Sequence, residues 1–138
     1  MKKLFFVFAL AFLLAACGKD EVKPRSEDSE LALESFKLAD SIKSYYVNRD
    51  FDAIKDLSTE TGYGEIGPGL REFDSAELKF TPRLVQIEDS KVTLNVSWEG
   101  RWTLKGNIFE EKGMAVFELL GKPLKLNRIL KGSPFVYP

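Results

Sequence analysis

Few side chains in this sequence are able to take part in covalent chemistry. Cys17 is the single cysteine, and histidine is absent. Without histidine the chain cannot build a Ser-His-Asp triad, a Cys-His pair or the most common type of zinc site. Once the thiol of Cys17 is modified, the chain has no disulfide and no further thiol nucleophile. We therefore predict no catalytic residue, no cofactor and no metal site.

Cys17 closes an N-terminal segment that has the features of an export signal. Met1-Lys2-Lys3 is basic, Leu4 to Leu14 is an unbroken apolar stretch, and Ala15-Ala16 are small residues of the kind a signal peptidase requires. The stretch is shorter than the roughly 20 apolar residues of a permanent transmembrane helix. Leu14-Ala15-Ala16-Cys17 resembles a bacterial lipobox. An ordinary secretory signal and an uncleaved anchor helix are the alternatives.

The resemblance to bacterial lipoproteins implies a lipid-anchored protein. Residues 1–16 would be a signal peptide, and the mature chain would begin at Cys17 with acyl chains such as palmitate on it. Two or more acyl chains anchor a protein stably, whereas one is marginal. In Gram-negative lipoproteins an Asp after the cysteine retains the protein in the inner membrane, and Gly18 stands there instead. The resemblance therefore implies the cell envelope, on the outer membrane facing the periplasm in a Gram-negative source.

The charge of the mature chain argues against binding to nucleic acid. Without residues 1–16 the sequence has 18 basic and 21 acidic residues, a net charge of −3 over 122 residues, and nucleic acid is bound by concentrated basic surface. Residues 17–28 would comprise the cysteine that the lipoprotein resemblance implies is lipidated and a polar stretch with Pro24, whose composition predicts a flexible tether. Residues 29–138 have the length of one domain.

Helical patterns dominate the first part of this domain. Apolar residues recur at helical spacing from Ser29 to Asn48, with Ser29 as the expected N-cap, and Asp50 is placed to cap a short helix from Phe51 to Leu57. Thr61 to Gly69 is rich in glycine, which predicts a connecting loop. Leu70 to Asp74 is compatible with one helical turn.

After Ser75 the apolar residues alternate with polar ones, which indicates strands. Pro82 favours an edge strand or a bulge. Val92 to Trp98 and Trp102 to Ile108 keep the same parity, so Glu99-Gly100-Arg101 is either a hairpin loop or a bulge in one long strand. Further turns are expected at three places, Glu88 to Ser90, Glu110 to Gly113 and Gly121 to Pro123. The sheet should end at Gly132 and leave an apolar tail, Phe135 to Tyr137.

These elements predict an α+β domain, with two N-terminal helices packed on a curved antiparallel sheet of four to five strands. Their order, with Gly113 to Leu119 (GMAVFEL) and Gly132 to Phe135 (GSPF), resembles the NTF2-like (cystatin-like) superfamily. That resemblance implies a cone with a cavity between the sheet and the long helix. A small β-roll or sandwich with packed helices is the alternative.

Four side chains are candidates for ligand binding. Trp98 and Trp102 are flat and close in sequence, so they form either an aromatic platform for a ligand or cross-strand core packing. Arg128 alternates with Leu126 and Leu130, so it is either a polar group in an apolar cavity or a solvated edge residue. Tyr46 would complete the lining of a shallow cavity.

The expected function is a non-enzymatic binding or accessory domain for a protein partner or a small amphiphilic ligand. The alternative, implied by the NTF2-like resemblance, is an isomerase- or cyclase-type enzyme in which Tyr45 or Tyr46 stabilises an oxyanion and Glu118 supplies a carboxyl group. A third possibility is a structural lipoprotein that uses the tail from Phe135 to Tyr137 as a docking strand.

Overall fold

The computed structural model describes residues 24–67 and 70–138. The predicted signal peptide, Cys17 and most of the predicted tether lie outside the described residues. Three α-helices are followed by four strands and a short 3-10 helix. They are α1 (Glu27–Asn48), α2 (Phe51–Asp56), α3 (Glu60–Ile66), β1 (Ser75–Glu88), β2 (Lys91–Leu104), β3 (Asn107–Leu120), β4 (Lys125–Lys131) and the 3-10 helix (Pro134–Val136).

The four strands form one antiparallel sheet in the order β1-β2-β3-β4. The prediction of an α+β domain with helices on a four-stranded antiparallel sheet is therefore confirmed. Pro82 lies in the edge strand β1, where the register shifts between Pro82 and Leu84, as its missing N–H requires. The expected turns after Glu88 and after Leu120 are also present.

Helix α1 crosses the sheet from one end to the other. It begins one turn earlier than expected, because Ser26 is the N-cap and accepts a hydrogen bond from the backbone N–H of Ser29. Near its start Glu34 accepts a hydrogen bond from the N–H of Leu124, just before β4 (2.7 Å). Near its end Tyr46 packs against Trp102, close to the end of β2. Ser35, which interrupts the apolar face, is buried and donates to the carbonyl of Ala32.

The prediction of a loop from Thr61 to Gly69 is wrong over most of that range, because helix α3 occupies Glu60–Ile66. Thr59 caps this helix by accepting a hydrogen bond from the N–H of Gly62 (3.0 Å). Gly62 is buried, and a Cβ there would lie 2.1 Å from the carbonyl oxygen of Leu126. The glycine therefore lets the helix approach the backbone of β4. The helical turn expected after Leu70 is also absent, since residues 70–74 have no helical hydrogen bonding.

Two expected turns are instead the middle of long strands. Glu99-Gly100-Arg101 is neither a hairpin loop nor a bulge, because β2 runs in unbroken register with both neighbours through Gly100. Glu110 to Gly113 likewise lies inside β3. Both glycines make room for indole rings: a Cβ on Gly100 would lie 2.1 Å from the ring of Trp102, and one on Gly113 would lie 2.9 Å from that of Trp98.

The C-terminal tail belongs to the core. Phe135 is 1% exposed, and its ring packs on Tyr46, with centroids 5.0 Å apart. Tyr137 packs on Trp98 and Trp102. The side chains of Phe135 and Tyr137 are therefore already engaged in the domain, which contradicts a free docking strand.

Candidate functional site

Three of the four predicted ligand-binding residues meet inside the protein. Tyr46, Trp98 and Trp102 are 0%, 3% and 0% exposed. The two indole rings are 6.4 Å apart and nearly perpendicular. The ring of Tyr137 lies 5.4 Å from Trp98 and 5.6 Å from Trp102. These rings are therefore packed as core and present no open platform to a ligand.

The polar atoms of this group have partners within the protein. Trp102 donates its Nε1–H to the hydroxyl of Tyr46 (3.0 Å), and that hydroxyl donates to the carbonyl oxygen of Tyr137 (3.1 Å). Trp98 donates its Nε1–H to the carbonyl oxygen of Gly132 (3.0 Å). Burial raises the pKa of Tyr46, although the hydrogen bond from Trp102 and the charge of Arg49 oppose the shift. Tyr46 is thus a neutral structural hydroxyl at ordinary pH.

The space between α1 and the sheet is filled by apolar side chains. A void of about 10 Å³ remains there, roughly the room of one water molecule. Its lining is entirely apolar: Ala39, Ile42, Phe80, Phe117, Leu119, Leu126 and Phe135. Among the described residues, no buried side-chain nitrogen or oxygen lacks a hydrogen-bond partner. This part of the interior offers neither volume nor polar groups to a small ligand.

The fourth predicted residue, Arg128, lies apart from the aromatic side chains. It is solvent-exposed and forms an ion pair with Glu65 of α3, 3.4 Å from Nε to the carboxylate. Glu118 is opposite Arg128 in the sheet register and accepts a hydrogen bond from Asn127 (2.8 Å). Glu118 alternates with the buried Phe117 and Leu119, so it lies on the sheet face remote from Tyr46. The register shift after Leu126 places Arg128 opposite Glu118 on that face. The described structure does not bring Glu118 and Tyr46 together.

A trough of about 730 Å³ lies on this outer face of the sheet. Its lining comes from three consecutive positions on each of β1, β2 and β3, centred on Leu78, Gly100 and Glu111. Leu78 and Glu111 direct their side chains to the inner face and Gly100 has none, so these positions present backbone to the trough. Trp102 covers Gly100 on the inner face and is not part of the lining, which places the trough outside.

Six charged side chains form the walls of this trough. We call them the charge lattice: Glu77, Lys79, Glu99, Arg101, Glu110 and Lys112. The sheet register arranges them in two rows, Glu77-Arg101-Glu110 and Lys79-Glu99-Lys112. Each charge therefore has opposite charges beside it on the neighbouring strands. Arg101 and Glu110 form an ion pair of 3.4 Å.

A three-residue sequence pattern that recurs on three strands produces this lattice. The pattern Glu-x-Lys/Arg occurs in β1 (Glu77 to Lys79), in β2 (Glu99 to Arg101) and in β3 (Glu110 to Lys112). An antiparallel neighbour reverses the direction of the pattern, so acid faces base in every row. The repeat was visible in the sequence, but two of its three copies fell in segments interpreted as turns. Sequence reasoning therefore missed the site.

The part of the chain that the structure describes contains no cluster of three or more metal-binding side chains. Within residues 24–67 and 70–138, no helix is both long and apolar enough to cross a membrane.

Comparison with known proteins adds no relative. The sequence matches no protein-family model, no curated protein and no solved structure. The resemblances to bacterial lipoproteins and to the NTF2-like superfamily therefore stay predictions, while the α+β architecture is a property of the structure itself.

Proposed function

We propose that this chain is a lipoprotein of the bacterial cell envelope, anchored through lipid on Cys17, and that its folded domain is a non-enzymatic module that binds a protein partner. The basic start, the apolar stretch and the Leu14-Ala15-Ala16-Cys17 motif support the anchor. In a Gram-negative source, Gly18 favours the outer membrane, with the domain facing the periplasm.

The observation that carries the binding proposal is the charged trough on the outer face of the sheet. It is open, its volume is about 730 Å³, and six charged side chains line it. Such a surface suits an extended polypeptide with alternating charges, because side chains along an extended chain project at the spacing of the rows. Charge complementarity would then select the register and speed the encounter.

The chemistry of the trough disfavours an amphiphilic small molecule. The large aromatic side chains that would hold an apolar group lie in the core, and the trough walls are three acidic and three basic side chains. A protein segment is therefore the better occupant.

The anchor is tested by metabolic labelling of the full-length chain with radioactive palmitate in a bacterial host. We expect label on the wild-type chain and none on Cys17→Ser, which should also keep its signal peptide. Label of equal strength on the Cys17→Ser chain would refute the anchor.

The trough is tested by site-specific photocrosslinking of the full-length chain in cells. A photoreactive residue at Lys79 or Glu99 should yield a discrete adduct with another protein. The same residue at the exposed Lys37 of α1, as a matched control, should not. Arg101→Glu should reduce the adduct several-fold, and so should high salt, because exposed charges are screened. An identical adduct from position 37 would show that the trough is not the contact surface.

A further inference from the structure

Part of the β3 edge has no strand partner within residues 24–67 and 70–138. Strand β4 pairs with β3 only from Val116 onward, so residues 107–115 of β3 pair with β2 on one side and with no described strand on the other. Gly132 approaches the backbone at Met114, which leaves residues 107–113 as the open part of this edge. Ile108 and Phe109 are 56% and 41% exposed there. Open, partly apolar edges of this kind are sites of strand addition.

The charges on this edge favour one particular occupant. Antiparallel neighbours that carry Glu-x-Lys/Arg place acid opposite base, as β1, β2 and β3 already do. A second copy of β3 carries the same pattern and would reverse it in the same way. We propose that two copies of this chain dimerise by antiparallel pairing of their β3 edges, with Glu110 of each copy opposite Lys112 of the other.

This register has two further consequences for the residues that face each other. Glu111 lies on the two-fold axis, opposite Glu111 of the second copy. Phe109 lies opposite Gly113, so the paired stretch is residues 109–113 of each copy, clear of the contact between Gly132 and Met114. A register centred on residue 110 would instead put Glu110 opposite Glu110 of the second copy. A register centred on residue 112 would put Lys112 opposite Lys112. Both place like charges together and lose the two Glu110–Lys112 pairs that offset the Glu111 pair in the proposed register.

The proposed dimer joins the charge lattices of the two copies. The row Glu77-Arg101-Glu110 would continue into Lys112, Glu99 and Lys79 of the second copy, and the signs would alternate across all six positions. The two troughs would then form one surface across the two-fold axis. Strand β1 also ends the sheet, but its inner residues Ala76 and Leu78 are buried and it contains Pro82. Its exposed apolar residue Leu84 lies at the register shift beside Pro82, where the regular backbone pairing of a strand is interrupted.

Such an interface is short, so we expect a weak, concentration-dependent dimer. Pairing of about five residues from each copy buries less than the roughly 1,200 Å² of a standard stable interface. Confinement of two chains to one membrane would raise their effective concentration. The dimer itself does not require the anchor, so either proposal can fail without the other.

The test is disulfide crosslinking of the full-length chain. Cα atoms of a residue opposite its own copy are about 4.5 to 5.5 Å apart, within the range for a disulfide. Glu111→Cys should therefore give a species of twice the chain mass when oxidant is added to cells or to a lysate. Glu110→Cys, whose copies would be separated by two residues along the strands, should not, and the wild-type chain reports the background from Cys17. Absence of the Glu111→Cys dimer would overturn the proposal. A dimer from Glu110→Cys in its place, or adducts with other proteins only, would do the same.

A second variant tests for a gain of discrete dimer by the folded chain, which is distinct from the aggregation of a misfolded one. Glu111→Thr removes the like charges at the two-fold axis and should tighten the dimer about 1.5- to 5-fold. Lys112→Glu should weaken it by at least as much. Sedimentation of the full-length chain in detergent over a concentration series measures both. A Glu111→Thr variant that folds and associates no more tightly than the wild type would contradict the proposed register.

Discussion

The indole of Trp102 donates its Nε1–H to the hydroxyl of Tyr46 across 3.0 Å, and this contact joins the sheet to helix α1. The same hydroxyl donates to the carbonyl oxygen of Tyr137 (3.1 Å). One oxygen thus links the first helix, the second strand and the C-terminal tail. The three segments are far apart in sequence. Their arrangement depends on one buried hydroxyl that both accepts and donates a hydrogen bond.

Tyr46→Phe should destabilise the protein by about 1 to 3 kcal/mol, because the indole N–H of Trp102 would be left buried without its acceptor and the carbonyl of Tyr137 would lose its donor. Tyr45→Phe is the matched control, since Tyr45 precedes it on the same helix and is only partly buried. We expect less than half the effect there. Urea unfolding followed by circular dichroism measures both, and equal losses would show that the hydroxyl of Tyr46 has no special role.

The same tyrosine predicts a loss of stability at alkaline pH. Burial raises the pKa of Tyr46 above its usual value near 10, so the folded state keeps its proton at a pH where the unfolded state loses it. This contribution to stability is complete below about pH 10 and is lost as the pH rises through the folded-state pKa. Urea midpoints measured from pH 8 to 11 should fall more steeply for the wild type than for Tyr46→Phe. Parallel curves would contradict the prediction.

Two glycines on helix α3 should respond in opposite ways to alanine. At Gly62 a Cβ would lie 2.1 Å from the carbonyl oxygen of Leu126, whereas at Gly64 nothing lies within 4 Å. Gly62→Ala should cost about 1 to 3 kcal/mol, because the helix must move away from β4. Gly64→Ala should be neutral or stabilise by up to about 1 kcal/mol, since alanine favours the helix. Thermal unfolding of the two variants measures the difference in stability. Equal stabilities would show that α3 does not pack closely on β4.

The tail should behave as core in an alanine scan. Phe135 is 1% exposed while its neighbour Val136 is 39% exposed. Phe135→Ala should cost about 3 to 5 kcal/mol, whereas Val136→Ala should cost less than about 1 kcal/mol. Denaturant unfolding distinguishes them. If both variants were as stable as the wild type, the tail would not be packed in solution and the docking-strand hypothesis would return.

Sequence patterns predicted the elements in which local sequence preferences and tertiary packing favour the same conformation. Helix α1 followed from apolar periodicity, α2 from its Asp50 cap, and the irregularity in β1 from Pro82. The failures were at glycines. Gly62, Gly100 and Gly113 were interpreted as loop or turn residues, but each stands where a backbone or an indole ring approaches closely. Both uses of glycine depend on the missing Cβ, and only the tertiary neighbour distinguishes them.

The candidate site was less predictable than the fold. Tyr46, Trp98 and Trp102 do come together, yet as packed and hydrogen-bonded core, because side chains of this size are also what a small domain needs to fill its interior. Arg128 proved to be a solvated edge residue. The charge lattice depends on cross-strand register, and register could not be assigned while Gly100 and Gly113 were interpreted as turns.

Helix α1 also sets the distance between the start of the domain and the charge lattice. Its first turn lies near Lys122, whose ammonium is 3.4 Å from Glu27, and its last turn lies beside Trp102, near the charge lattice. At 1.5 Å per residue its 22 residues span about 33 Å. In a chain held by lipid at Cys17, this helix would separate the trough by some three nanometres from the point where the anchor enters the domain. On the flexible tether expected from the sequence, the domain would then meet a partner at up to about that distance beyond its attachment point.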